Sequence, residues 1–184
     1  MSRKGLRGHL AAAGLLIALA LAGPVASAEA CIGARQTPPE LTAAEAKQAV
    51  ICLLNQRRAH FGERKLHGNS LLTVAAEDHS ASMNNLNYFS HDSSSDGSPV
   101  SRITSTGYLA GASFWMVGEN LRWGTGPLAS PKSVVAAWMK SAEHRHVMLT
   151  GTFREIGIGF VPGSPTGTDE AAAAIYTADF GFRH

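Results

Sequence analysis

The hydrophobic pattern of this chain changes period along its length. Up to Ser141, apolar residues recur mostly at helical spacing behind recognisable N-caps. From Ile156 onward they alternate or run together as strand residues do. A chain ordered in this way packs helices against a sheet. Thr42-Ala43-Ala44-Glu45 is a capping box: the threonine hydroxyl can accept from the backbone at Glu45 while the carboxylate reaches back. A helix is therefore expected from there, with Ala46, Val50, Leu53 and Leu54 recurring at the helical period and Gly62 just past its end. Asn69 can cap a second helix, with the stripe Leu72, Ala75, Ala76, His79 and Met83, ending near Asn87. Ser98-Pro99 and Ser130-Pro131 each pair a capping hydroxyl with proline at the first helical position, which predicts helices over 99–106, closed by Gly107, and 131–141. Strands are expected at 116–121, 156–160 and 175–182, the last two joined by the Gly, Ser, Pro and Thr of residues 162–170. Together these elements make an α+β domain with a small, mostly antiparallel sheet.

The first 28 residues read differently. Arg3, Lys4 and Arg7 precede a small and apolar run over 10–22, and Ala26-Ser27-Ala28 offers the small residues of a cleavage site. This is the layout of a secretory signal peptide. A helix of that run rises about 20 Å, short of the roughly 30 Å hydrocarbon core, so a leader is expected rather than an anchor. The protein is then secreted, with no membrane span once residues 1–28 are gone. Glu29, before Cys31, fits poorly with the small apolar residues that precede a lipidated cysteine. Without the leader, thirteen basic residues stand against fourteen acidic ones, a net charge of −1, and no excess of cations remains to displace phosphate counterions. No nucleic-acid partner is expected. Export also favours pairing of the only two cysteines, Cys31 and Cys52, which would tie an N-terminal extension, 29–41, to the first helix of a single domain over 42–184. Two unrelated thiols are the alternative.

Further along, the order of short motifs carries more information than any one of them. Asn87-Tyr88-Phe89-Ser90-His91, Gly118-Glu119-Asn120-Leu121, Trp138 with Ser141 and His144-Arg145, and Glu155-Ile156-Gly157-Ile158-Gly159 follow one another in that sequence. In order and spacing, across 49–183, they resemble the bacterial branch of the CAP superfamily, the SCP-like proteins (cysteine-rich secretory, antigen 5, pathogenesis-related 1). The resemblance implies a three-layer α-β-α sandwich with a small central antiparallel sheet and a wide surface cleft. In animal members two histidines and two acids line that cleft and can hold a divalent metal. Carried over, His91 and His144 match the histidines and Glu119 the acid of Gly-Glu-Asn. Ser141 stands where the second acid would be, and Arg145-His146-Val147 replaces the usual Tyr-Thr-Gln.

Two imidazoles and a carboxylate are a sound donor set for zinc or another divalent cation, with one coordination position left open. Only the fold can join them, since His91, Glu119 and His144 are 28 and 25 residues apart. The competing expectation is a structural polar cluster, with Glu119 collecting backbone donors and the histidines hydrogen-bonded around it. Asn120 and Ser141 complete the expected cleft lining.

The remaining candidates have plainer readings. His79 lies on an apolar helical stripe as a half-buried structural histidine, and His146 points away from His144. Glu143 is expected on a solvated face. Residues 92–97 lack the glutamate that ends a calcium loop, so a turn is expected there. Trp115, Trp123 and Trp138 are core or cleft wall. The resemblance leaves three functions open: a binding module for a small or lipidic ligand, with or without a divalent cation; a metal-assisted or His/Glu hydrolase acting on an extracellular polymer; and a non-catalytic interaction domain. Binding ranks above catalysis because no nucleophile has an evident partner to activate it.

Overall fold

The structure, a computed structural model, describes residues 31–168 and 170–184; the expected signal peptide lies outside them. Among these residues five α-helices and four strands follow one another as α1 (Ala43–His60), β1 (His67–Gly68), α2 (Ser70–Leu86), α3 (Pro99–Ser105), β2 (Trp115–Gly124), α4 (Pro131–Lys140), α5 (Ala142–Leu149), β3 (Glu155–Pro162) and β4 (Ala174–Arg183), with a 3-10 turn at Gly126–Ala129 before α4. The expected caps form. Thr42 and Glu45 make the reciprocal box, Asn69 accepts from Leu71 and Leu72, and Ser98 and Ser130 sit before their prolines. Asn87 closes α2 in the left-handed conformation, which asparagine tolerates.

Two elements depart from the sequence reading. Helix α5 follows α4 at once, because Ser141 is both the C-cap of α4 and the N-cap of α5, its hydroxyl accepting from the His144 backbone. Strand β1 has only two residues and joins β3 in parallel, so the sheet is mixed, although its three long strands are antiparallel as expected.

The sheet order is β1-β3-β4-β2. The last strand in sequence is therefore central, and β2 forms a free edge. Side chains alternate across the sheet. One face presents Ile156, Ile158, Phe160, Tyr176, Ala178 and Phe180 to α1, α4 and α5, forming the main core with Val50, Leu54, Val134, Trp138 and Met148. The other face lies under α2 and α3, the opposite helical layer, and there β3 carries Gly157 and Gly159. A Cβ on either glycine would run into the α2 backbone at Leu72 or Ala76. The alternation in Ile-Gly-Ile-Gly-Phe is thus explained: isoleucines fill one layer while glycines let the helix sit directly on the sheet.

Arg58 stitches the main core together. Fully buried near the end of α1, it donates to the carbonyls of Arg64, Met148, Thr150 and Phe153. Burial pulls its pKa down, and the carbonyls replace the water it has lost. The expected Cys31–Cys52 disulfide is present, with its Cα atoms 5.7 Å apart, and ties residue 31 to α1.

Candidate functional site

The site lies across the β2 edge, where both helical layers overhang it. His91 arrives from the segment between α2 and α3. Its Nδ1 pairs with Glu119 Oε1 at 2.7 Å, while Arg102 of α3 donates to Glu119 Oε2, also at 2.7 Å. Glu119 is buried, so both of its oxygens are committed on the protein side. Arg102 also donates to the carbonyls of His91 and Gly97 and reaches Asp96 at 3.4 Å. Asp96 in turn holds Nδ1 of His79 at 2.7 Å, and His79 Nε2 meets the Ser90 carbonyl at 3.0 Å. His79 is structural, as expected, but wholly rather than half buried, with the Asp96 carboxylate and the Ser90 carbonyl against its two ring nitrogens. The turn at 92–97 owes its place to the same network, closing through a Ser93–Gly97 bridge.

Asp179 was not expected in this network. It sits on β4 directly opposite Glu119, in the row that continues to Gly157 beneath α2. It is fully buried, and burial together with the neighbouring Glu119 charge pushes its pKa well above the usual carboxylate range, against the opposing pull of Arg102. The direction of this shift favours the neutral acid, and neither Asp179 oxygen has a hydrogen-bond partner among the described residues. The available sequence signal was a lone acid inside the apolar run Tyr176-Thr177-Ala178-Asp179-Phe180.

Outside this buried row lies a pocket of about 280 Å³ that gathers His91, His144, Ser141 and Arg122, with Trp123, Phe89 and Trp138 as aromatic walls. The hydrogen bond to Glu119 raises the pKa of His91. Burial lowers that of His144, and the charges of His91 and Arg122 lower it further. Asn120 stands behind the pocket, buried, donating to the His144 carbonyl at 3.0 Å. It positions α5 rather than lining the cleft. Glu143 is exposed, as expected.

The fold thus brings His91 and His144 to one pocket and places Glu119 behind His91. Among the described residues no group of three His, Cys, Asp or Glu side chains is placed to hold a metal ion. The donor set does not fit a resident zinc, because the expected third ligand is occupied by Arg102 and His91, leaving two imidazoles where a catalytic zinc takes three protein ligands.

Comparison with known proteins agrees with this architecture. The model of the cysteine-rich secretory protein family, CAP, matches residues 52–180. The chain belongs to that family. Among its relatives, the Bacillus subtilis protein YkwD is 33% identical over 145 residues, covering 79% of this chain and 53% of YkwD. The chain therefore spans about half the length of that relative. An extracellular protein containing an SCP domain from Bacillus anthracis superimposes with a TM-score of 0.60 at 25% identity, over 75% of this chain and 40% of that one. An outer surface protein of Borrelia burgdorferi shares the fold at a TM-score of 0.64 and 17% identity, over 78% of this chain and 97% of that one.

Proposed function

We propose that this CAP domain works outside the cell as a binding module whose pocket takes a small or lipidic ligand without a resident metal. The observation that carries the reading is the division of labour around His91: Glu119 fixes Nδ1 from behind, and the imidazole forms part of an aromatic-walled pocket. A ring held in this way is pre-organised to hydrogen-bond a ligand. Extracellular operation is supported by the Cys31–Cys52 disulfide, by the expected leader, and by the Bacillus anthracis relative, described as extracellular. No helix among the described residues is long and apolar enough to cross a membrane.

The same His91–Glu119 pair favours a second reading, hydrolysis of an extracellular polymer with His91 as general base. Against it, the pocket hydroxyl of Ser141 is occupied in capping α5. Peptidoglycan, casein and p-nitrophenyl esters, assayed with wild type and His91→Gln, separate the two. The expected result is no turnover above background and no difference between the proteins. Turnover that disappears in His91→Gln would replace binding by catalysis. Zinc titration at neutral pH should give only weak binding; a tight stoichiometric site lost in His144→Gln would restore the metal.

A further inference from the structure

We propose that Arg122 makes the pocket an anion site, taking the carboxylate or phosphate group of a small amphiphile whose apolar part lies against Trp123 and Phe89. This rests on the pocket being a ligand site and adds the ligand's charge. The first observation is Arg122 itself. It lies on β2 at the sheet edge, half-buried. Its Nε is shut off from solvent and has no hydrogen-bond partner, and no ion pair engages the guanidinium among the described residues. Buried polar atoms are normally paired, so an orphaned guanidinium in a pocket wall marks a place where a partner is missing.

The second observation is the sign of the surroundings. No acidic residue lines the pocket. Glu119 lies behind His91 and is bound by Arg102, and the two other acids whose charges reach the pocket histidines, Asp92 at His91 and Glu143 at His144, are both exposed to solvent. Arg122 is therefore an uncompensated permanent charge, and two imidazoles stand beside it as further hydrogen-bonding groups. The third observation is shape. A guanidinium fork matches two oxygens of a carboxylate or phosphate. About 280 Å³ with aromatic walls leaves room for a short apolar chain beside such a headgroup. The same charge opposes a divalent cation.

The test titrates the purified protein with hexanoate, hexyl phosphate and 1-hexanol while NMR follows the His91 and His144 imidazoles and the Trp123 indole. The expected result is that at least one of the two anions moves these signals and binds at least about tenfold more tightly than 1-hexanol. Arg122→Gln should weaken the anion by about tenfold to a hundredfold and leave 1-hexanol unchanged, while Arg122→Lys recovers part of the loss. Preference between the two anions assigns the headgroup. The Arg122 side chain makes no hydrogen bond among the described residues, so Arg122→Gln should melt like wild type, and the Lys variant carries the comparison if it does not. If 1-hexanol binds as tightly as both anions, or anion affinity survives in Arg122→Gln, the anion proposal is overturned and the ligand-binding reading stands. If none of the three probes moves the pocket signals, both fall.

Discussion

Asp179 and Glu119 are neighbouring carboxyl groups under one helix, and Arg102 is bonded to only one of them. Their substitutions should therefore behave differently. Asp179→Asn replaces a carboxyl whose burial favours its neutral form by an amide of the same shape and should hold the melting temperature within a few degrees at about pH 4. A carboxyl whose folded pKa is raised stabilises the fold fully below its unfolded value of about 3.9, and this contribution declines as pH rises. Asparagine does not titrate, so Asp179→Asn should gain on wild type in melts run from about pH 4 to about pH 8; a constant gap would show Asp179 ionised. Glu119→Gln instead strips buried Arg102 of the closer of its two carboxylate partners and should cost up to about 3–5 kcal/mol in denaturant unfolding.

The two pocket histidines should titrate on opposite sides of about 6.5 by NMR, His91 above and His144 below. His91 then stabilises the fold below its unfolded pKa and loses this as pH rises through the folded value. His144 stabilises it above the unfolded pKa and loses this as pH falls. Coincident midpoints would contradict the Glu119 pairing. The sequence named His91, Glu119 and His144 because they sit in ordered motifs. Asp179 escaped because its neighbour Glu119 lies across the strand pair, Arg58 because three of its carbonyls come from the end of α5 and just beyond it, and Arg102 because its closest carboxylate, Glu119, belongs to another element.

At the scale of elements, the contact of α2 with β3 depends on what Gly157 lacks. Gly157→Ala drives a methyl into the Leu72 carbonyl carbon and should cost about 1–3 kcal/mol by overpacking, seen as a lower denaturant midpoint at unchanged slope. An unchanged midpoint would mean that α2 rides higher than described. The Cys31–Cys52 bridge should show as an intact mass about 2 Da below that of the reduced protein, and reduction should cost about 3 kcal/mol, since it frees a loop spanning 21 residues. Four of the five helices were legible because capping is local chemistry: Thr42, Asn69, Ser98 and Ser130 each bond within three residues. Helix α5 was hidden because one serine ends one helix and begins the next. Strand β1 is too short to show a period, and its partner lies far along the chain.

At the scale of the whole molecule, the pocket draws on the segment after α2, on β2, and on both α4 and α5. It exists only when all three layers are assembled. The strand order makes that assembly late: β2 and β3 both pair with β4 and not with each other, and the β2–β4 ladder joins residues as far apart as Trp115 and Arg183. Such long-range pairings form slowly, because loop closure must precede the contacts that reward it. A chain ending at Ala173 should accordingly keep some helical circular dichroism while losing cooperative unfolding. The growing polypeptide therefore has no three-stranded sheet to fold onto until residues 174–183 are available. Until then its helices carry apolar faces with nothing to cover them, and this domain is at its most vulnerable to aggregation and proteolysis just before β4 is made.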